Sequence, residues 1–249
     1  MTEDALDALF LLHSGLPREG PGSDESTREA LRRLGPLPAS PRVLDLGCGP
    51  GKQTRVLARE LGVPVVAVDL HAPFLKALEE AAAREGVGHL VHTRRADFGA
   101  LEEPAGSVDL LWSEGAIYIL GWSEGLRRWR PLLRAGGRMA VTEATWLTEA
   151  RPVEAEAFWR EAYPSMGTVA SNSAAAREAG YEVLDTFVLP ASAWEEYYRP
   201  LRARVELLRP RAREDARLAA VLDETERELA LYTRCGASYG YVFYLLHVR

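Results

Sequence analysis

Short apolar runs alternate along this chain with segments of helical periodicity, the order expected of strand, helix and strand in turn. Val43, Leu44 and Leu46 form the first strand, and Thr54, Leu57, Ala58 and Leu61 then mark one face of a helix stopped by Gly62. VPVVAVDL (63–70) reads as a second strand, followed by a helix from Pro73 to Glu85 with Phe74, Leu78, Ala81 and Ala82 inward. HLVHTRRADF (89–98) contains a third strand and SVDLLWSEGAIYIL (107–120) a fourth. Ser123 is placed to cap a helix carrying Leu126, Trp129 and Leu133, in which Pro131 predicts a kink. Gly136-Gly137 stops that helix before a fifth strand running through Val141 to Glu143. A helix with Phe158 and Trp159 and another over 174–179 precede a sixth strand (181–189), and YGYVFYLLHVR (239–249) is the last.

Outside this alternation lie two helical segments. Residues 1–40 hold an apolar stretch from Ala5 to Leu12 and a loop, HSGLPREGPGS. Ser26 and Glu29 then form a capping-box pattern that opens a helix through Leu34. Residues 191–238 interrupt the last two strands with two amphipathic helices, one lined by Trp194, Tyr198, Leu201, Val205 and Leu208, the other by Leu218, Leu222, Thr225, Leu229 and Tyr232. These predict a lid or an oligomer surface, the second giving a homodimer. The arginines at 199, 202, 204, 209, 211 and 213 read as a solvated face. The organisation expected is therefore an N-terminal helical cap (1–40), an α/β core (41–190), a helical insertion (191–238) and a final core strand (239–249).

The first strand runs directly into three glycines, Gly47, Gly49 and Gly51. Strand, glycine turn and helix open a doubly wound α/β fold, whose ligands bind beyond the strand ends. Spacing decides among the known glycine loops. The dinucleotide pattern G-x-G-x-x-G fails because Lys52 stands at its third glycine. The phosphate loop G-x-x-x-x-G-K-[ST] fails because Leu46 and Gln53 occupy required positions. What remains is D-x-G-x-G-x-G from Asp45.

Charge and composition narrow the class further. A formal net charge of −6 argues against a polyanionic partner such as nucleic acid. Only Cys48 and Cys235 are present, which suits a reducing compartment. The acidic start lacks the basic residues of a secretory signal, and no run reaches membrane-spanning length. A soluble cytoplasmic protein is expected.

On D-x-G-x-G-x-G the chain resembles the class I S-adenosylmethionine (AdoMet)-dependent methyltransferases. The stretch around Gly136-Gly137 is similar to the L-x-P-G-G-x motif of the quinone-biosynthesis subgroup, with Ala135 replacing the usual proline. The resemblance implies a seven-stranded, mostly parallel sheet whose last strand inserts antiparallel beside the sixth. It implies AdoMet as cofactor, S-adenosylhomocysteine (AdoHcy) as product, and Asp45, Gly47, Cys48, Gly49, Gly51 and Gln53 around the methionine part and ribose. Asp69 would take the ribose hydroxyls, although helix capping is its other reading and an acid here also suits NAD. Leu70 would lie on the adenine, and Asp97 with Phe98 would meet the adenine amino group and ring. The loop with Gly20-Pro21-Gly22-Ser23 and Thr27 is similar to a segment that closes over the cofactor in small-molecule members.

Methyltransferases acting on amino groups of nucleic-acid bases carry N/D-P-P-Y/F after the fourth strand, where this chain has Ser113-Glu114-Gly115-Ala116, and no cysteine stands here or after the next strand for the covalent RNA cytosine-C5 mechanism. That sets the class aside and leaves a small-molecule acceptor. Glu114 and Tyr118 are the candidates on this rim, with a salt bridge as the alternative for Glu114 and packing for Tyr118. A hydroxyl or carbon-acid acceptor needs a base, and Glu114, Glu143 or His13 are the candidates. A non-catalytic AdoMet-binding module and an NAD-dependent oxidoreductase are the competing functions.

Overall fold

The computed structural model describes residues 3–249; Met1 and Thr2, part of the expected N-terminal cap, lie outside the described residues. Two helices, α1 (Glu3–His13) and α2 (Asp24–Leu34), precede the core. The core follows as β1 (Val43–Leu46), α3 (Lys52–Leu61), β2 (Val65–Asp69), α4 (Ala72–Arg84), β3 (Val91–Arg95), β4 (Val108–Ser113), α5 (Trp122–Trp129) and β5 (Leu133–Trp146). It continues through α6 (Val153–Ala162), α7 (Val169–Glu178) and β6 (Tyr181–Val188), then the insertion α8 (Ala191–Leu208) and α9 (Ala216–Cys235), and closes with β7 (Tyr239–Val248).

Among the described residues one sheet has the order β3-β2-β1-β4-β5-β7-β6. The five strands from β3 to β5 run parallel, and β7 runs antiparallel to both β5 and β6. The chain direction in sequence changes side between β1 and β4, the switch point at which doubly wound sheets bind their ligands. Strands buried on both faces need near-continuous apolar sequence, and all four residues of β1 are buried. A third apolar cluster lies outside the two sheet faces. It joins Leu12 and Leu16 to Trp194, Tyr198, Leu201, Leu222 and Tyr239, so the N-terminal helix and the insertion share one core.

Several local expectations change. Ser23, not Ser26, caps α2: its hydroxyl accepts the Ser26 N–H at 3.0 Å. Gly121, not Ser123, precedes α5, and Pro131 ends that helix in a 3₁₀ turn instead of kinking it. Leu133 therefore begins β5, whose pairing with β4 shifts register between Val108 and Leu110 and absorbs Gly136-Gly137 within the strand. The strand also continues three residues past Glu143, because β7 pairs with it as far as Trp146. Leu75 takes the buried place on α4 expected of Phe74, which stacks edge-on with Phe10 and His71.

Candidate functional site

The β1–α3 bend is built from conformations open only to glycine. Gly47, Gly49 and Gly51 have φ of 69°, 54° and 70°. At Gly47 a Cβ would stand 2.3 Å from the Ala116 Cβ, so the loop lies hard against the rim after β4. Main-chain N–H groups of Gly47 and Cys48 donate to the Val68 carbonyl at 2.9 and 3.0 Å, fixing the bend to β2.

Asp45 is wholly buried on β1. Its Oδ2 accepts from Thr54 Oγ1 at 2.5 Å and Gln53 Nε2 at 3.1 Å, tying the first turn of α3 to the strand. Its Oδ1 is buried with no donor. Burial pushes the carboxyl up to about 7. Gln53 also donates to the Cys48 carbonyl at 3.0 Å. The Cys48 thiol is buried and pushed upward by desolvation and by Asp45 and Asp69, which leaves it an unreactive wall.

Asp69, at the end of β2, accepts the Gly49 N–H on Oδ2 at 2.9 Å and the His71 N–H on Oδ1 at 2.8 Å. The carboxylate is thus locked beside the glycine bend, with lone pairs remaining on both oxygens. Leu70 next to it is 55% exposed. Asp97 is exposed and folds back on the Gly99 N–H at 2.7 Å, the turn-forming part that such an Asp commonly takes. Phe98 is buried behind Gly47 and edge-on to Trp129, whose indole N–H donates to its carbonyl at 2.9 Å. Asp45, Asp69 and the glycines therefore converge, Leu70 and Asp97 stand at the rim, and Phe98 underlies the bend.

Glu114 is committed elsewhere. Its carboxylate accepts from Arg18 Nη1 at 3.0 Å, Thr27 Oγ1 at 2.8 Å and Trp112 Nε1 at 2.9 Å. The pair with Arg18 is buried, each side chain 4% exposed, and Arg18 also reaches Asp24 at 3.4 Å. This corrects the expectation of a free proton acceptor: three donors and an adjacent cation occupy the group, the salt-bridge alternative. Gly22 leaves room for this pair, since a Cβ there would fall 2.9 Å from both Arg18 Nη1 and Glu114 Oε2. Arg18, Glu19, Gly20 and Pro21 face Gly47–Pro50 across a narrow cleft of about 20 Å³ that Gln53 and Glu114 complete.

Beyond this cleft lies a second group of polar side chains. His13 Nδ1 meets Glu19 Oε2 at 2.5 Å, and Glu19 Oε1 is buried without a donor. Burial raises the Glu19 carboxyl, His13 opposing the shift. Glu143 is 1% exposed, and its Oε1 likewise has no donor. Burial takes its carboxyl up to about 8, with the Tyr163 hydroxyl acting against the rise. The Tyr118 ring sits 6.0 Å from Tyr163, and burial together with the Glu228, Glu143 and Glu19 charges raises its phenol. Glu228 of α9 accepts the Tyr198 hydroxyl at 2.7 Å. Arg18, Glu19 and Glu228 escape a sequence reading. Only the glycine-proline stretch beside the first two hints at them, and nothing local marks Glu228.

Comparison with known proteins agrees with this geometry. Residues 43–137 match the family described as "Methyltransferase domain". The chain is 32% identical over 187 residues to trans-aconitate 2-methyltransferase of Paracidovorax citrulli (strain AAC00-1), covering 71% of this chain and 69% of that one. It is 36% identical over 114 residues to malonyl-[acyl-carrier protein] O-methyltransferase of Pseudescherichia vulneris, covering 45% of this chain and 42% of the relative. In fold it is similar to a SAM-dependent methyltransferase from Geobacter sulfurreducens solved with S-adenosyl-L-homocysteine. There the TM-score is 0.82 and the identity 20%, with 98% of both chains covered.

Proposed function

The chain belongs to the class I AdoMet-dependent methyltransferases, an enzyme family, and from that membership we propose how its own residues serve transfer of a methyl group to a small-molecule acceptor. The observation that carries the reading is the junction of three elements at one bend. The glycine cradle excludes side chains, Asp45 Oδ1 is buried with no donor, and Asp69 is held against Gly49. A buried acceptor without a donor is costly unless a ligand supplies one. The ammonium of a methionine moiety is such a donor, and the ribose hydroxyls suit the remaining lone pairs of Asp69. The residues present therefore fit AdoMet, which when bound supplies a methyl group activated on a sulfonium.

In this assignment Asp45 takes the methionine amino group, while Gly47, Cys48, Gly49, Gly51 and Gln53 form the wall beneath. Asp69 takes the ribose, Leu70 covers the adenine, and Asp97 meets its edge. Phe98 supports the bend from behind. Glu114 serves as the anchor through which Arg18 and Thr27 hold the N-terminal segment over the cofactor. The closed segment excludes water and holds the acceptor in line, and such orientation is worth about 7–11 kcal/mol of barrier. Of the proton acceptors, His13 is oriented by Glu19 on its Nδ1, which leaves Nε2 free, and Glu143 offers an unbonded oxygen.

The insertion α8–α9 serves as the lid of the acceptor side through the core that it shares with α1. A net charge of −6 supports action on a free metabolite without nucleic acid. Among the described residues no helix is long and apolar enough to cross a membrane, in keeping with a cytoplasmic site of action. A homodimer through the outer faces of α8 and α9 is checked by light scattering at several concentrations.

Calorimetry on the ligand-stripped protein tests the assignment. AdoHcy is expected to bind at micromolar or tighter Kd, with D45N weakening it at least tenfold and NADH giving no heat. Binding of NADH without AdoHcy would overturn it.

A further inference from the structure

The side chains beyond the cofactor cleft share one chemical bias. Glu143 on β5 lies past the register of Ser113, where β4 has ended, so it stands on the acceptor edge of the sheet. It is 1% exposed and its Oε1 has no donor, a buried acceptor for which the protein supplies no hydrogen bond. Glu19, descending from the N-terminal loop, leaves a second buried oxygen unbonded. Glu228 comes from the insertion. Tyr118 is 46% exposed, and the charges of Glu228, Glu143 and Glu19 all act on its phenol. Tyr163 stands edge-on to it.

Arg18 is bound by Glu114 and Asp24, and Lys52 lies 3.5 Å from Asp24. Arg204 spends its guanidinium on the carbonyls of Leu11 and Leu12 at 2.6 and 3.2 Å. An anionic acceptor would meet buried carboxylates, while Arg18 and Lys52 are held by acids and His13 is already paired with Glu19, an unfavourable arrangement. A cation would find unbonded carboxylate oxygens and the faces of two tyrosines, which attract ammonium groups at distances of about 6 Å or less.

We propose that the acceptor is a small molecule bearing a basic nitrogen, recognised as its ammonium by Glu143 and Glu19 against the Tyr118 and Tyr163 rings. The inference rests on the reading of this crevice as the acceptor side of an AdoMet enzyme. The proton is accounted for: the ammonium passes it to the Glu143 carboxylate, freeing the nitrogen lone pair. The new bond is nitrogen to methyl carbon, the bond broken is methyl carbon to sulfur, and its electron pair stays on sulfur. The positive charge thereby moves from sulfur to nitrogen, and one proton leaves with the products.

The test uses protein saturated with AdoHcy, whose neutral sulfur removes the sulfonium as a competing cation. Two sets of probes are titrated by calorimetry and ligand-observed NMR: isopentylamine, isopentanol and isovalerate, then benzylamine, benzyl alcohol and benzoate. The amine of at least one set is expected to bind at least tenfold tighter than its alcohol, and the carboxylate no tighter than the alcohol. E143Q, and independently E19Q, should reduce the preference for amine over alcohol, each assayed at AdoHcy saturation, with AdoHcy affinity within twofold of wild type in E143Q. The inference is overturned if a carboxylate matches the amine, if no amine binds, or if both variants keep the full preference. Failure of the wild-type chain to take up AdoHcy overturns the parent reading and the inference with it. Binding of AdoHcy without amine preference overturns only the inference.

Discussion

Arg18 Nη1 lies 3.0 Å from Glu114 Oε2, a buried ion pair between residues 96 positions apart. One partner belongs to the loop before α2 and the other to the rim after β4, so this contact fastens the N-terminal segment to the sheet.

Removing either partner strands a buried charge, which typically costs about 3–5 kcal/mol. E114A is expected to lower the unfolding free energy by that order, read from the shift in denaturant midpoint, and to expose the segment around Gly20–Ser23 to protease. R18A should do the same, and the double variant should lose less than the two single losses combined. Additive losses in the cycle would show that the two residues do not act as a pair.

Gly47 and Gly62 both adopt positive φ, yet their surroundings differ. A Cβ at Gly47 meets Ala116 at 2.3 Å, whereas at Gly62 nothing lies within 4 Å. G62A should cost only about 1–2 kcal/mol of stability from its backbone and leave AdoHcy binding intact. G47A should weaken AdoHcy by at least tenfold, read by calorimetry alongside a melting curve for each variant.

Asp69 receives a main-chain N–H on each oxygen. Asn cannot do so, because its amide nitrogen would point at one of those donors. D69N is expected to loosen the glycine bend and weaken AdoHcy at least tenfold, with amide shifts at Gly49 and His71 in NMR spectra. Unchanged affinity would remove Asp69 from the cofactor site.

Burial raises Asp45 from 3.8 to about 7 and Glu143 from 4.5 to about 8. Both carboxyls are therefore neutral more readily in the folded than in the unfolded chain. Their stabilising contribution is complete at acid pH below the unfolded values and is lost as pH rises through 7 and 8. The ligand-free protein should thus lose roughly a few kcal/mol of stability across that window. E143Q should flatten the upper part of the loss, measured by denaturant unfolding at a series of pH values.

Much of the core is legible without coordinates. A continuous apolar run, three closely spaced glycines and a helical stripe are local signals, so Val43–Leu61 folds as read, and the same holds for the strand that delivers Asp69. Local signals mislead where a neighbour overrides them. Ser26 has the spacing of a cap, but Ser23 takes that place. Gly136-Gly137 look like a stop, but pairing with β4 carries the strand through them. The helix expected to contain Pro131 ends before it.

The sequence by itself determined the fold class, the glycine bend and the placing of acids on its first two strands, because those depend on spacing within a few residues. It could not assign the parts that Glu114 and Glu143 take. Only the tertiary structure made Glu114 an anchor, by bringing Arg18 and Thr27 to it, and only burial in the folded chain left Glu143 Oε1 without a donor. A carboxylate's chemistry is set by what surrounds it, and here the surroundings come from segments far apart along the chain.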